Sequence, residues 1–354
     1  MSDPVWTPIL RDLHASALDC LQTSFALLAD AAHGAGTHLA LGAARPFRDG
    51  GRPATPDERA AQAEALLGLR VDGRWLRLTG PQTRRLAEDF LYVSADAFDL
   101  PWCPYAGHEH MRHSFLARAA GDEVTVVDAY HNDTAWGEAR PGVWRLTAEA
   151  FDAALEGGAH VLAVAAGPPP RLDPDAILAG EAERQDRARP AVEAFLARTR
   201  EALGTAEERL VLDVWLLGRE QQLHEDWLAS VGRPTESQRE RWQQLAARTY
   251  LAQRRGRPNA ALVDELAELL GALDVETAVL TALRETLDIE DERLRAARTL
   301  RDLPGFNSFR LVDVIERVEH DLGVTVPGDA LTAENLRDVG SLCAMFATAG
   351  RSGR

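Results

Sequence analysis

Lysine is absent from this 354-residue chain, in which all 39 basic residues are arginine. Alanine is abundant beside them, so the bias reads as the codon preference of a G+C-rich genome and carries no mechanistic content. Cysteine is scarce. Cys20, Cys103 and Cys343 show no paired spacing and no CxxC, which argues against a disulfide framework and for free thiols in a reducing compartment. No run of 18 apolar residues occurs, so no membrane-spanning helix is expected. The start, Met1-Ser-Asp-Pro-Val-Trp6, has no basic region leading into an apolar stretch. No signal peptide is read there, and a cytoplasmic location is expected. Positive charge is in deficit as well: the net charge of -16 would repel a phosphate backbone, and no nucleic-acid partner is expected.

The length leaves room for two or three domains with ample core, and the last stretch is the most informative. A Pro304-Gly305 turn delivers Ser308 to the start of an amphipathic helix with the stripe Leu311, Val312, Ile315, Val318 and Leu322, near the 3.6-residue period. Gly323 is placed to end that helix in the left-handed conformation. An earlier helix fits Val275 to Leu287, an Arg/Glu-rich loop joins the two, and a last helix packs Val339, Leu342, Met345 and Phe346. Asp313, Glu316, Glu319 and Asp321 form an acidic face. Serine is also a favoured helix cap, so Ser308 alone would read as structural. With its surroundings, the segment from about Asp274 to Ala349 resembles an acyl carrier protein, whose usual Asp-Ser-Leu signature here reads Asn307-Ser308-Phe309. The resemblance implies an all-α four-helix domain, covalent 4'-phosphopantetheine on Ser308, and a phosphopantetheinyl transferase as partner.

Upstream, a helix is expected from Cys20 to Asp30 with Asp19 as its cap. A Gly/Pro/Arg-rich loop then spans Ala43 to Glu58. A helix over 58–67, a short strand around Trp75–Leu78 and a helix over 81–91 follow. The Pro-punctuated segment Ala97–Tyr105 reads as extended. The clearest hairpin pairs Ser114–Ala119 with Glu123–Asp128 across an Ala-Gly-Asp turn. A strand at His160–Ala165 runs into Gly167-Pro-Pro-Pro170, a domain boundary. Helices are expected over 182–203, 207–231, 235–254 and 259–270, the first broken or kinked at Pro190. Trp215, Trp227, Trp242 and Tyr250 suit a bundle core. The join to the carrier segment is only Gly271-Ala-Leu-Asp274.

Cys20, His113 and Asp128 are the candidate chemistry. A helix N-terminus and a neighbouring imidazolium both favour a thiolate. In a tight hairpin, His113 at the start of one strand and Asp128 at the end of its partner fall as cross-strand neighbours, able to form the bond that orients the imidazole. Singly, each residue has an ordinary structural reading: a packed thiol, a hydrogen-bonded histidine, turn chemistry at a strand end. Together with Asp19-Cys20-Leu21, His113-Ser-Phe-Leu116 and Val126-Val-Asp128-Ala-Tyr-His-Asn-Asp133, they resemble the papain-like fold and, more narrowly, the acyltransferase family of butirosin biosynthesis. That resemblance implies transfer of an acyl group from a carrier thioester to an amine. Such peptidases place a Gln shortly before the cysteine. Here the oxyanion donor stays open between His14, Gln22 and the Cys20 backbone N–H. His108, His110 and His113 form a rival zinc reading, with Cys103 a reserve nucleophile and Asp133 a reserve carboxylate.

The expected architecture is α+β: a papain-like cysteine enzyme domain over 1–170, a helical bundle domain over 171–272 and a carrier domain over 273–354. The expected activity is cysteine-dependent acyl transfer in natural-product biosynthesis of the polyketide or nonribosomal-peptide kind. A loading enzyme or synthase module and a small-molecule acceptor are the expected partners. The same triad could serve a thioesterase, and a non-catalytic carrier scaffold is the third possibility.

Overall fold

The computed structural model describes residues 3–43, 55–206, 208–233, 237–257, 259–270, 275–290, 293–294, 297–322 and 324–352. The chain opens with α1 (Trp6–Asp12), a 3-10 turn at Ala15–Ala17 and α2 (Cys20–His33). Asp19 sets the start of α2: its carboxylate accepts from the N–H groups of Leu21 and Gln22, and the Gln22 side chain reaches back to the Asp19 N–H. This capping box satisfies donors that the first turn would otherwise leave bare. Thr55 caps α3 (Pro56–Leu67) in the same way.

Next come β1 (Leu69–Leu78), α4 (Gly80–Leu86), β2 (Leu91–Asp96), β3 (Arg112–Ala120) and β4 (Glu123–Asp128). They are followed by a small hairpin of β5 (Asn132–Thr134) and β6 (Gly137–Ala139), then β7 (Gly142–Thr147), α5 (Ala148–Ala154) and β8 (Ala159–Ala166). The six main strands form an antiparallel sheet in the order β1-β8-β2-β3-β4-β7. Alternation along each strand feeds two cores. Tyr92, Leu116, Val127 and Leu162 pack with Phe25 and Leu27 of α2 and Leu67 of α3. Val93, Phe115, Val126 and Val161 pack on the other side with Phe151 of α5 and with Leu100 and Tyr105. Each such buried side chain contributes about 1.5–3 kcal/mol.

The structure corrects the expected elements at three points. The helix expected over 81–91 stops at Leu86, and Leu91–Asp96 is a strand in the middle of the sheet. Its run Leu-Tyr-Val-Ser-Ala is buried on both faces, so it lacks the alternation that marks a half-exposed strand. Ala97–Tyr105 is not extended. It begins with a 3-10 turn at Ala97–Asp99 and continues through backbone turns such as Cys103 N–H to Leu100 C=O (2.9 Å). The strand around Trp75 starts as early as Leu69.

The helices α6 (Pro174–Ala179), α7 (Glu181–Ala202), α8 (Leu210–Ser230), α9 (Arg239–Arg254) and α10 (Ala260–Leu269) follow. Pro190 lies inside α7, which continues through it. The chain divides into two compact units, one of Met1–Ala191 with Arg209–Arg255, the other of Val192–Glu208 with Gly256–Arg354. The helical stretch 171–272 is therefore shared between the units: α8 and α9 go with the sheet. Trp227 and Trp242 are buried as expected. Tyr250 is exposed, and Trp215 is half-buried with its indole N–H on Asn132.

The second unit carries α11 (Val275–Leu287), α12 (Ser308–Leu322) and α13 (Val339–Ser352), with 3-10 turns at Leu300–Asp302 and Gly328–Ala330. Arg293 and Leu294 are helical too. Their shared core holds Val279, Leu283, Val314, Val318, Leu342 and Phe346. The stripe of α12 differs by one residue from expectation: Val314 is fully buried and Val312 is 51% exposed. Positions 311, 314, 315, 318 and 322 follow the helical period, and 312 falls on the side of Ser308. Gly323, the expected cap of α12, and the join 271–274 lie outside the described residues.

Candidate active site and carrier serine

Cys20 is the first residue of α2. The N–H groups of Leu21 and Gln22 bond the Asp19 carboxylate at 2.9 and 2.8 Å, and that of Thr23 bonds the Asp19 carbonyl at 3.1 Å. Among the described residues, the Cys20 N–H has no such partner. Asp19 is itself fixed by Arg59, which donates through Nε (3.1 Å) and Nη2 (2.7 Å) to Oδ2 and also pairs with Glu220 of α8. Burial works against the Arg59 charge, but Asp19 and Glu220 outweigh it and raise its pKa further. The thiol lies beside β3, with Sγ 3.8 Å from the Arg112 carbonyl.

On that strand His113 is fully buried, and its Nε2 is 2.6 Å from Oδ2 of Asp128. The register of β3 on β4 places Leu116 opposite Val127, which puts Phe115 across from Asp128. His113 is therefore the diagonal neighbour of Asp128 on the same sheet face, where the sequence suggested a direct pair; a long side chain spans that diagonal. Asp128 also accepts from Trp102 Nε1 at 3.1 Å and from the Tyr130 N–H at 2.9 Å. Three donors hold it as an acceptor. The Tyr130 ring meets the imidazole edge-on, with centroids 5.2 Å apart.

With Nε2 committed to Asp128, Nδ1 of His113 is buried and has no hydrogen-bond partner of ordinary length. Burial, the largest influence, disfavours the charged ring. The Asp128 charge and hydrogen bond and the proximity of Cys20 together prevail, so the His113 pKa stands well above its ordinary 6.5. The ring is thus oriented by a carboxylate at Nε2, with Cys20 close enough to help raise its pKa.

The remaining candidates are used differently. His14 is engaged through Nδ1 with Asp226 of α8 at 2.7 Å. The buried Gln22 accepts from the Asp19 N–H. His108 stacks on Trp136 (5.4 Å between centroids), while His110 pairs with Asp96 at 2.8 Å and stacks on Phe98. The three histidines of this run therefore point to three separate partners. Cys103 is buried, and burial pushes its thiol pKa up. Asp133 is exposed on β5, opposite Glu138. Sequence reasoning did not single out Trp102, Tyr130 or Arg219. Arg219 of α8 donates to the carbonyls of Ala15 (3.1 Å), Leu18 (2.7 Å) and His131 (2.5 Å), bracing the segments that lead to Cys20 and away from Asp128. These partners lie up to 204 residues apart in the chain, and no local pattern announces them.

In the second unit the capping role falls to Asn307. Its Oδ1 accepts from the N–H groups of Phe309 and Arg310, each at 3.0 Å. Ser308 is exposed, and its hydroxyl makes no hydrogen bond among the described residues. The turn before it is closed by the Phe306 N–H on the Leu303 carbonyl (3.2 Å) and needs the positive φ of Gly305 (74°). Of the acidic residues on α12, Glu319 accepts from the Val326 N–H and Asp321 lies near Arg317, whereas Asp313 and Glu316 face solvent.

Residues 277–346 match the family of phosphopantetheine attachment sites. This segment is a carrier domain, of the class that bears 4'-phosphopantetheine covalently on a serine. The chain thus takes part in acyl-thioester chemistry served by a phosphopantetheinyl transferase and acyl-handling enzymes. No curated protein matches the chain. Two serines lie in the matched segment. Ser341 is half-buried and bonded to Asp338, so the free hydroxyl of Ser308 is the one that fits the group. No helix among the described residues is long and apolar enough to cross a membrane.

Proposed function

We propose that the sheet unit is a cysteine acyltransferase fed by a phosphopantetheine carrier, with Ser308 as the attachment residue. The observation that carries the reading is the His113–Asp128 bond of 2.6 Å, which leaves the second imidazole nitrogen free beside a cysteine at a helix N-terminus. When bound, the arm supplies a flexible thiol that holds acyl groups as thioesters. Cys20 gives its proton to His113 Nδ1 and forms the new S–C bond. As the old C–S bond breaks, His113 Nδ1 would return that proton to the sulfur that leaves. An acceptor amine then loses its proton to the same nitrogen as it attacks the acyl-cysteine, and Cys20 leaves. Asp128 keeps the ring in the tautomer this sequence needs, with Trp102 donating to the same carboxylate oxygen. The bare Cys20 N–H is the oxyanion donor this reading favours, since Gln22 and His14 are engaged elsewhere. The papain-like relationship is proposed on the same basis: a helix-borne cysteine against a sheet-borne histidine.

Intact-protein mass spectrometry tests this. Wild type, Ser308→Ala and Cys20→Ala are treated with a phosphopantetheinyl transferase and a panel of acyl-coenzyme A donors. The expected result is pantetheine loading that needs Ser308 and a second acyl adduct that needs Cys20. Loading with no Cys20-dependent adduct or turnover overturns the enzyme reading in favour of a scaffold. Loss of the adduct to water alone, with no acceptor dependence, makes the enzyme a thioesterase.

A further inference from the structure

A row of polar side chains crosses the sheet next to Cys20 and has no part in the chemistry above. Arg77 of β1 lies opposite His160 of β8, His160 opposite Ser94 of β2, and Ser94 opposite Ser114 of β3. Residues paired across strands share a face, so all four stand on one side of the sheet. Arg112, two residues before Ser114, joins them there. Strands about 4.8 Å apart make this row roughly 14 Å long. Its β3 end abuts the nucleophile: the Ser114 hydroxyl donates to the Cys20 carbonyl, and Cys20 Sγ touches the Arg112 carbonyl.

Two features of the row are unexplained by folding. The Ser94 hydroxyl is 1% exposed and has no hydrogen-bond partner among the described residues; such a group ordinarily costs about 1–3 kcal/mol when left unsatisfied. Around it three basic residues gather with little to neutralise them. Arg112 is exposed, and no acceptor takes its guanidinium among the described residues. Among the described residues, Arg77 makes a long contact of 3.5 Å to the Gly157 carbonyl. His160, half-buried, has its pKa lowered by burial first and then by Arg112 and Arg77. The nearest acid on this face, Asp96 opposite Arg112, is occupied by His110 and the backbone N–H groups of Phe98 and Met111.

We propose that this face binds an anionic oxygen group of the acyl substrate, a carboxylate or a phosphate, through Arg112, Arg77 and His160, with Ser94 as a hydrogen-bond donor. An acyl chain on Cys20 with an acidic far end would place its anion within reach of the exposed Arg112 guanidinium. A phosphate borne by the donor's thiol arm is the other source of the same chemistry. The inference rests on the acyl-enzyme reading only for which molecule carries the anion.

The test begins with reagents that need no substrate. Iodoacetate and iodoacetamide alkylate a thiol alike but differ in charge, and peptide mass spectrometry reads the rate at Cys20 for each. The iodoacetate-to-iodoacetamide ratio is expected to fall roughly fivefold in Arg112→Gln and further in Arg112→Gln/Arg77→Gln. A ratio unchanged in both variants overturns the anion site, whatever the enzyme does. Two thioester comparisons then name the source. Faster Cys20 acylation by glutaryl- than by pentanoyl-N-acetylcysteamine, a difference lost in Arg112→Gln, assigns the site to an acyl carboxylate. Faster acylation by pentanoyl-coenzyme A than by pentanoyl-N-acetylcysteamine, lost in the same variant, assigns it to the arm's phosphate. A charge-sensitive alkylation ratio with no acylation by any thioester keeps the anion site and removes the acyl-enzyme reading.

Discussion

Cys20 and Ser308 occupy the same local position in two different surroundings. Each is the first residue of its helix, and each follows an Asx residue whose side chain accepts from the next two backbone N–H groups: Asp19 for Leu21 and Gln22, Asn307 for Phe309 and Arg310. Around Cys20 a buried histidine and a carboxylate with three donors have been assembled from the sheet. Ser308 is exposed, and its hydroxyl has no hydrogen bond among the described residues. The helix start places a nucleophile, and tertiary partners decide whether it can act by itself. On the proposed reading, Cys20 draws its base and orienting carboxylate from its own sheet, whereas Ser308 is presented to a phosphopantetheinyl transferase.

The largest way to break this comparison is to remove the base. His113→Ala is expected to slow acylation of Cys20 by about 10³-fold and to leave pantetheine loading of Ser308 at the wild-type rate, both read by quenched mass spectrometry. Asp128→Asn is expected to approach that loss while keeping the fold, since the amide can still accept from the Tyr130 N–H but no longer holds an imidazolium.

The caps sharpen the contrast in stability. Asp19→Ala removes a cap and one of the two carboxylates that pair with buried Arg59, and urea unfolding is expected to register about 3 kcal/mol. Asn307→Ala removes a cap with no ion pair behind it and is expected to cost about 1 kcal/mol.

Acidity adds a signed prediction. His113 has a folded pKa raised above its unfolded value of about 6.5. Its stabilising share is therefore fully present below that value and is lost as pH rises through the elevated folded pKa. The stability gap between wild type and His113→Gln is expected to be wider at acidic than at alkaline pH, and a gap that widens with pH would contradict the Asp128 pairing. The smallest effect concerns α12: Val314→Ala is expected to cost about 2 kcal/mol and Val312→Ala less than about 0.5 kcal/mol.

How much was legible beforehand follows the range of the interactions. The carrier domain is built from helices whose caps, turns and stripes are local, and its first helix, Val275–Leu287, coincides with the sequence reading. Even there the period alone misassigned Val312, because Val312 and Val314 both fit an apolar stripe until packing chooses between them. In the sheet unit, α2 and the β3–β4 hairpin were readable from a cap and a turn. The central strand β2 was not, since a strand buried on both faces carries no alternation. Cys20, His113 and Asp128 could be chosen by residue type and spacing, but Trp102, which steadies the carboxylate, and Arg219, which ties α8 to both site segments, are fixed only by tertiary structure. The same is true of the division of the helical stretch 171–272 between two compact units.

The most direct test follows a single turnover. Phosphopantetheinylated protein is charged with an acyl group, quenched at intervals and digested, and the acyl mass is located on the Cys20 or the Ser308 peptide. The account predicts that label appears at Cys20 in wild type and not in His113→Ala, with Ser308 loaded equally in both. Label that stays on Ser308 in wild type and in His113→Ala alike would contradict the claim that Cys20 receives the acyl group.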